Sequence, residues 1–355
     1  MSNCSVEVSI VVPTYNEAET IRSFLSRLRA ALDGSGLCYE VLVVDDDSPD
    51  GTWRIVEEES RRDGRIRLVR RIGEKGLATA VIEGIRRARG RYVVVMDADL
   101  QHPPDKVLDL VREAEKGYDI VVASRYMKGG GVEGWSRVRL LMSMASSILA
   151  KIFVAEARKT SDPMSGFFLV RRDSIDLDSL KPRGYKILLE ILAKTPRARV
   201  SDIPYIFRRR AGGESKLGAR VMIDYLLHLV QLSRLARFGI VGGLGAIANL
   251  MVMYLTLPYL GVDLASIAGI EAGILWNYIL HESWTFKSRF TRGAVARLLG
   301  YHASSLGGIT TTYLTMRILY TLGILGPIPA QGVGIIAGFL VNYMLSSRVV
   351  WRRGS

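Results

Sequence analysis

The chain of 355 residues is long enough for two domains, and its two cysteines are too few for a disulfide framework or a zinc site, which fits a reducing compartment. Its formal net charge of +13, from 48 basic and 35 acidic residues, favours an anionic partner such as a phosphorylated metabolite or an acidic membrane surface. From about Leu235 onward charges become sparse and long apolar runs begin, so the two parts of the chain are expected to differ in class.

Strands alternate with helices through the first part of the chain. Apolar, β-favouring runs predict strands at Val6–Val12, Tyr39–Val44, Ile66–Val69, Tyr92–Met96 and Ile120–Ala123. Helical patterns lie between them, such as the amphipathic stretch that carries Phe24, Leu25 and Leu28. This alternation predicts an α/β fold of the Rossmann-like type, with a parallel, doubly wound sheet.

Acidic side chains follow two of these predicted strands. Asp46 ends one strand, Asp97 and Asp99 end another, and Tyr15 and Glu17 follow a third. Strand-end aspartates often only cap the next helix, and for either acidic site alone that interpretation is the stronger one. Ligands of open α/β sheets, however, bind at the carboxyl ends of the strands. The coincidence of all three strand ends therefore favours a ligand site.

Four motifs in chain order carry a resemblance to a known family. They are Ser9–Glu17 (SIVVPTYNE), Val43–Thr52 (VVDDDSPDGT), Asp97–Pro104 (DADLQHPP) and Gly212–Lys216 (GGESK). Together they resemble the motif series of inverting family 2 glycosyltransferases with the GT-A fold. Within that family, the amino-acid sequences of these motifs most resemble those of dolichyl-phosphate (polyprenyl-phosphate) mannose synthases. The resemblance implies transfer of mannose from GDP-mannose to dolichyl or polyprenyl phosphate, with inversion to a β-linked product and with Mg²⁺ or Mn²⁺ as cofactor.

The donor site is assigned from the chemistry of its residues and from this resemblance. Asp97, Asp99 and Gln101 offer oxygen atoms, which suit a hard divalent ion that holds a diphosphate. For the nucleotide and its sugar, the resemblance implies Pro13, Tyr15, Glu17, Val44, Asp46 and Ala98, with Asp46 on the base. Arg125 follows the strand that ends at Ser124, and it is expected to reach a phosphate or the sugar.

A strand from Ile203 is predicted to run into a basic, glycine-bearing loop that includes Arg208, Arg209 and Arg210. Cations on such a loop can close over a bound diphosphate and neutralise the leaving group. The resemblance selects Arg210 and Lys216 for that role. The alternative is a basic cluster that lies on an anionic membrane, and it stays open for Arg208 and Arg209. The usual family pattern lacks three consecutive arginines, so which of Arg208, Arg209 and Arg210 faces the nucleotide also stays open.

Residues 135–154 predict an acceptor helix. Its apolar residues recur at helical spacing, and the run is too short and too polar to span a bilayer. We expect this helix to lie in the membrane interface with Trp135 at headgroup level, the alternative being an ordinary core helix. The apolar residues in question are Leu141, Met144, Ala145, Ile148 and Ile152.

Arg139 and Ser143 lie four residues apart on one face of that helix. The resemblance implies that they hold the phosphate of the acceptor lipid. A phosphate monoester is already largely dianionic near neutral pH and needs no catalytic base, so Asp99, Arg125, Arg139 and Ser143 are expected to act by positioning and charge stabilisation. Asp162 resembles a family position near the sugar, although it could equally cap a turn.

Four apolar segments in the second part are long enough to span a membrane: Phe238–Tyr259, Leu264–His281, Leu298–Leu322 and Gly326–Leu345. Gly273–Leu280 recurs as Gly338–Leu345, which predicts two copies of a helical hairpin and resembles the GtrA-like membrane domain. Lysine and arginine flank these segments on one side only, so the positive-inside rule places both termini and the catalytic domain in the cytosol. Glu271 and Arg317 are expected to pair inside this domain.

The sequence therefore predicts a GT-A domain (1–218), an amphipathic juxtamembrane connector (219–236) and a membrane domain of four helices (237–355). The N-terminus has no signal-peptide pattern. The expected partners are GDP-mannose, dolichyl or polyprenyl phosphate and membrane lipid, and no recognition motif for nucleic acid is present. The alternatives are transfer from UDP-glucose, a flippase role of the membrane half, and a membrane half that serves only as an anchor.

Overall fold

The structure is a computed structural model that describes residues 5–181, 184–209, 219–280, 283 and 294–349. The chain forms two compact units, Met1–Ser233 and Arg234–Ser355. The first carries the α/β part and the second carries the long apolar helices. Cys38, which directly precedes a strand of the first unit, is disulfide-bonded, so a low cysteine count excluded a framework but not a single bond.

The first unit is built on a sheet that has seven strands among the described residues, in the order β3-β2-β1-β4-β7-β5-β8. A separate parallel pair joins β6 to β9. The five alternating strands predicted for the first part of the chain are all present, and the strand predicted from Ile203 is divided between β8 and β9. The strands are β1 Val8–Thr14, β2 Tyr39–Asp45, β3 Ile66–Arg70, β4 Tyr92–Val95, β5 Ile120–Ser124, β6 Gly131–Val132, β7 Phe168–Arg171, β8 Val200–Pro204 and β9 Ile206–Phe207.

The prediction of a wholly parallel sheet is wrong, because β7 runs antiparallel to both β4 and β5. The N–H of Ala123, near the carboxyl end of β5, donates to the carbonyl of Phe167 just before β7 begins. The chain therefore enters β7 from the edge at which its parallel neighbours end, and it has to run in the opposite direction. The sheet is mixed, which is common in large α/β folds.

Helices cover both faces of this sheet. Val8, Ile10 and Val12 of β1 pack into one core, whereas Val11 packs into the other. Burial on both faces explains why the strands are almost continuously apolar. The helices are α1 Ile21–Leu32, α2 Thr52–Arg62, α3 Leu77–Arg87, α4 Lys106–Glu115, α5 Arg137–Phe153, α6 Ile187–Lys194 and α7 Ala219–Leu232, with short 3-10 turns at Ala155–Lys159, Arg172–Ser174 and Leu177–Ser179.

Helix α5 corresponds to the predicted acceptor helix, and it carries an exposed apolar stripe. The hydroxyl oxygen of Ser136 accepts from the backbone N–H of Arg139 at 3.2 Å, which caps the start of the helix. Ser147 and Ala150 face the core. The opposite stripe is apolar yet open, with Val138 66%, Leu141 65%, Ile148 55% and Ile152 48% exposed. A core helix would bury that stripe, so the alternative of an ordinary core helix is not what the structure has.

The second unit contains α8 Arg234–Leu280, α9 Ala294–Thr321 and α10 Pro327–Val349. The helical run α8 is broken at Gly261, whose φ of 69° and ψ of 176° are not helical. Within the parts of this unit that the structure describes, one run, Gly239–Leu280, has the length and the apolar composition needed to cross a membrane. The four predicted segments fall on the two halves of α8, on α9 and on α10, but the number of membrane crossings stays a prediction.

The internal repeat of the sequence corresponds to a repeated packing contact. A β-carbon at Gly245 would overlap the side-chain amide of Asn277, and one at Gly308 would overlap the amide of Asn342. Gly273 likewise lies against the backbone of Gly245, and Gly338 against that of Gly308. Each pair of helices approaches closely because glycine has no side chain, which is typical of packing between apolar helices.

The predicted pair between Glu271 and Arg317 is wrong. Glu271 Oε1 lies 2.9 Å from Nε2 of His302, and Arg317 Nη1 lies 3.0 Å from Oδ1 of Asp263. The prediction treated Asp263 as part of a loop. The break at Gly261 instead lets the second half of α8 begin early enough to bring that carboxylate beside Arg317.

Candidate active site

A cleft of about 810 Å³ opens at the carboxyl ends of β1, β2 and β4. Most of the residues predicted for the donor site line it, together with one residue predicted for the acceptor. These are Pro13, Tyr15, Glu17, Asp46, Asp97, Ala98, Asp99, Gln101 and Arg139. Val44 is fully buried in β2 and its side chain packs in the core under α3, so only its backbone lies near this edge.

Asp46 anchors one wall of the cleft. Its Oδ1 accepts from Arg71 Nε at 2.7 Å and its Oδ2 accepts from the N–H of Gly76 at 2.7 Å. A carboxylate has about four lone-pair sites, so these bonds leave capacity for a nucleotide base. Lys75 lies beside the same wall and donates to the hydroxyl of Tyr15 at 3.3 Å. The sequence analysis missed Arg71, Lys75 and Gly76, for which the Lys-Gly pair before α3 was the available signal.

A sharp turn after β4 carries Asp97, Asp99 and Gln101, the residues predicted to bind the ion and called the metal motif below. Asp97 and Asp99 line the same cleft. Leu100 has a φ of 64°, a left-handed conformation that is uncommon for a side chain of this size. The N–H of Gln101 donates to Asp99 Oδ1 at 3.1 Å, and the N–H of Asp97 donates to Nδ1 of His102 at 3.1 Å. Backbone strain held in place by such bonds is typical of functional sites.

His102 stabilises this turn from its buried side. The side chain is buried and stacks on Phe167 with 5.1 Å between ring centroids. Burial lowers the pKa of His102 to about 4, the nearby carboxylate of Asp99 acting in the opposite direction. The imidazole is therefore neutral near pH 7, as its role as acceptor from the N–H of Asp97 requires.

The donor atoms fit a hard divalent ion. Gln101 donates from Nε2 to the carbonyl of Arg208 at 2.9 Å, so its amide oxygen is the atom left for ligation beside the carboxylates of Asp97 and Asp99. Among the described residues, no group of three or more histidine, cysteine, aspartate or glutamate side chains could hold an ion by itself. Mg²⁺ is commonly bound by one or two carboxylates completed by substrate phosphates, and this donor set matches that pattern.

Arg125 and Asp162 form a buried ion pair next to the cleft. Arg125 Nε donates to Asp162 Oδ2 at 2.7 Å and Nη2 donates to Oδ1 at 2.8 Å. The bidentate geometry occupies both carboxylate oxygens. Neither residue lines the described cleft, so the predicted contact of Arg125 with a phosphate or the sugar is not visible in this arrangement. The guanidinium also lies 5.4 Å from the ring of Trp135, which ties the pair to the cleft wall.

The acceptor side of the cleft is formed by Arg139 and its neighbours. The guanidinium of Arg139 lies 4.5 Å over the ring of Trp135, and that ring packs edge-on against Phe207 at 5.4 Å. Trp135 is thus half-buried in the cleft wall. Ser143, one turn further along α5, does not line the cleft, and its Oγ accepts from the hydroxyl of Tyr126 at 2.7 Å.

The predicted basic loop is only partly described. Arg210 and Lys216 lie outside the described residues. Arg209 lines the cleft, and its side chain passes close to Gly134. Arg208 donates its backbone N–H to the carbonyl of Gln101 at 3.0 Å, so its main chain supports the metal motif.

Lys186 is a further cation of the cleft that the sequence analysis missed. Its Nζ donates to the carbonyl of Met164 at 3.2 Å. Burial, with the charge of Arg125, lowers the pKa of Lys186 to about 8, and the charges of Asp162 and Asp97 act in the opposite direction. The available signal was a lysine directly before Ile187–Lys194, a helix whose first six residues are all buried.

Comparison with family models matches residues 9–177 to glycosyl transferase family 2 and residues 237–351 to the GtrA/DPMS transmembrane domain. The chain thus carries a sugar-transferring domain followed by a membrane domain. A dolichol-phosphate mannosyltransferase of Pyrococcus furiosus is 40% identical over 98% of this chain and 99% of its own. One of Saccharomyces cerevisiae is 34% identical over 71% of this chain and 93% of its own. The chain belongs to the dolichol-phosphate mannosyltransferase family.

Solved structures resemble the front part of the chain more distantly. Glucosyl-3-phosphoglycerate synthase from Mycobacterium tuberculosis is 24% identical, with a TM-score of 0.49, over 64% of this chain and 80% of that one. Mannosyl-3-phosphoglycerate synthase from Rubrobacter xylanophilus is 20% identical, with a TM-score of 0.47, over 64% of this chain and 73% of that one.

Proposed function

We propose that this glycosyltransferase moves mannose from GDP-mannose to dolichyl or polyprenyl phosphate, with inversion, giving lipid-phosphate β-mannose and GDP. The observation that carries the proposal is the composition of one cleft. The carboxylates of Asp97 and Asp99 line the same cleft as Arg139, and Arg139 belongs to a helix whose outer stripe is apolar and exposed.

Asp97, Asp99 and Gln101 would hold the divalent ion, Mg²⁺ or Mn²⁺. When bound, the ion neutralises charge on the diphosphate as the bond to the sugar breaks. Asp46 receives the base, because its carboxylate lies in the cleft wall and accepts from N–H groups, which guanine presents at adjacent ring positions. Pro13, Tyr15, Glu17 and Ala98 line the space between base and metal motif.

The acceptor phosphate binds at Arg139, beside the apolar stripe of α5. The phosphate oxygen forms the new bond to the anomeric carbon of mannose while the bond from that carbon to GDP breaks on the opposite face, which inverts the configuration. A dianionic phosphate needs no proton acceptor for this attack. The protein therefore contributes position and charge, and Arg210 and Lys216 add cations when their loop closes.

The membrane placement follows from charge and exposure. The open stripe of α5 contacts the lipid interface, and the helices of the second unit cross the bilayer several times. Basic residues lie near Arg237, between Lys287 and Arg297, and at Arg348–Arg353, and this pattern supports a cytosolic location for the catalytic unit and both termini.

Donor and acceptor can be tested together. Membranes that contain the full-length protein are incubated with Mg²⁺, a short prenyl phosphate and either radiolabelled GDP-mannose or radiolabelled UDP-glucose. We expect label in the lipid fraction from GDP-mannose only, with a β configuration by NMR of the product. Transfer from UDP-glucose alone would overturn the donor assignment, and an α-linked product would overturn inversion.

A further inference from the structure

Lys186 lines the same cleft as the two sites assigned above. It precedes α6, and it lines the cleft together with Asp97 and Arg139. The side chain is buried enough for desolvation to lower its pKa. Lys186 is half-buried, and a cation at such a position in a cleft, with its pKa shifted by desolvation, is a candidate for substrate contact.

The immediate neighbours of Lys186 leave room for a ligand. One of its three N–H groups donates to the carbonyl of Met164, and the carboxylate of Asp162 is occupied by the bidentate bonds from Arg125. Gly166 adds no side chain, and a β-carbon there would already lie 3.4 Å from Oδ2 of Asp97. The charge of Asp97 acts on the ammonium group of Lys186, and both residues line the same cleft.

We propose that Lys186 binds a hydroxyl group of the hexose that the donor carries, and thereby positions the sugar between diphosphate and acceptor phosphate. The inference rests on the proposed function. In the proposed function, Asp97 and Asp99 hold the diphosphate and Arg139 binds the acceptor phosphate. Neither assignment uses Lys186, which leaves it available for the hexose between these two groups.

The chemistry of the pair formed by Lys186 and Met164 favours a hydroxyl over a third phosphate. The ammonium group can only donate, and the carbonyl 3.2 Å away can only accept. A sugar hydroxyl does both, so it matches an adjacent donor and acceptor, whereas a phosphate oxygen would meet the carbonyl as a second acceptor. The charge of Arg125 is already balanced by Asp162, so Lys186 is not needed to neutralise that carboxylate.

The experiment compares Lys186→Met, which keeps the length of the side chain but removes its charge and its N–H groups, with Lys186→Arg and with wild type, all as full-length protein in detergent. Lys194→Met is the matched control, because Lys194 is exposed on the helix that follows. The measurements are the Kd of GDP with Mg²⁺, the kcat and KM for GDP-mannose, the KM for a short prenyl phosphate, and thermal unfolding.

We expect Lys186→Met to lower kcat/KM for GDP-mannose by about 10- to 100-fold, the range for loss of one hydrogen bond to a charged group. The Kd of GDP and the KM of the prenyl phosphate stay within about twofold of wild type, since neither molecule carries the hexose. Lys186→Arg recovers part of the loss, and Lys194→Met behaves as wild type.

Donors that lack single hydroxyl groups give the decisive comparison. With one of the deoxymannose analogues of GDP-mannose, Lys186→Met should cause no further loss, because the partner hydroxyl is already missing. A parallel loss of GDP affinity, a change confined to the prenyl phosphate, or equal losses with every deoxy donor would each overturn the inference. A wild-type protein that transfers no mannose would instead overturn the proposed function itself.

Discussion

At the scale of single residues, the carboxylates in and beside the cleft differ in their surroundings. Asp46 accepts hydrogen bonds from Arg71 and from the N–H of Gly76, and these bonds hold its side chain in the cleft wall. Asp162 forms a buried ion pair with Arg125. Asp99 holds the turn through the N–H of Gln101 while its side chain lines the cleft. The sequence could place these residues at one sheet edge, but the partners of Asp46 and Asp162 lie 25 and 37 residues away and left no local pattern.

Replacing Asp99 by Ala should abolish transfer. The change removes a carboxylate of the proposed metal site, and loss of such charge stabilisation typically costs at least about 10²- to 10³-fold in kcat. Transfer is measured with labelled GDP-mannose in membranes, and the amount of protein in the membrane fraction serves as the control. An Asp99→Ala enzyme that remained fully active would contradict the assignment of the metal motif.

Replacing Tyr126 by Phe tests the acceptor role of Ser143 without touching Ser143 itself. The Tyr126 hydroxyl donates to Ser143 Oγ, which orients the serine proton away from the tyrosine. If Ser143 binds the lipid phosphate, losing this bond raises the KM of the prenyl phosphate by about 3- to 10-fold, as expected for one hydrogen bond. The KM of GDP-mannose should not change. A rise in the donor KM instead would place Tyr126 on the donor side.

At the scale of elements, the strands and helices of the first unit were predictable because two-sided burial and 3.6-residue periodicity are local patterns. The strand β7 was not predicted, and its antiparallel direction depends on where the preceding loop returns, which no local pattern records. The sequence also did not reveal that a helix resumes directly after the break at Gly261. For that reason Asp263 was not considered as the partner of Arg317.

Glu40 joins three strands at the amino edge of the sheet, and its loss should destabilise the first unit. Its Oε1 accepts from the hydroxyl of Ser9 at 2.7 Å, and its Oε2 accepts from Arg67 at 2.7 Å. Burial alone would raise the pKa of Glu40, but the bonds from Ser9, from Arg67 and from the N–H of Arg89 outweigh it and hold the pKa below its usual value. Glu40→Gln should cost about 2 kcal/mol near pH 7.

The pH dependence of that cost has a defined sign. A carboxyl group whose pKa is lowered by folding stabilises the protein at pH values above its unfolded pKa, and the contribution is lost as pH falls through the folded pKa. The difference between wild type and Glu40→Gln, measured by tryptophan fluorescence during unfolding in detergent, should therefore shrink as pH falls below about 4.5. A difference that stays constant down to pH 3 would mean that packing, not charge, is responsible.

Two glycines of α10 provide a matched pair for the packing of the second unit. A β-carbon at Gly338 would clash with Thr312 and the backbone of Gly308, whereas one at Gly332 would meet nothing within 4 Å. Gly338→Ala should destabilise the unit by about 1–3 kcal/mol through overpacking, while Gly332→Ala should be neutral or slightly stabilising because alanine favours helix. The fraction that remains monodisperse after heating in detergent distinguishes them. Equal behaviour of the two variants would contradict the close helix contact.

At the scale of the whole molecule, the cleft and the apolar helices belong to different units. Every described residue that lines the cleft lies before Ser233. Composition indicates a change of class near Leu235, where charges thin out. It does not indicate whether the second unit contributes to the acceptor site, because no local pattern records how a lipid is bound.

A chain that ends at Ser233 should therefore retain transfer to a short, water-soluble prenyl phosphate in detergent, within about 10-fold of the full-length rate, because it keeps the metal motif, Asp46 and Arg139. Detergent is needed because Ile223, Leu226 and Leu227 of α7 are exposed and would otherwise promote aggregation. Transfer to long-chain dolichyl phosphate in vesicles should fall much further, since the truncated enzyme is held at the membrane only by its surface helices. Circular dichroism establishes that the truncated chain is folded. A folded chain that fails with the short acceptor would show that the helices complete the acceptor site, so their role would extend beyond anchoring.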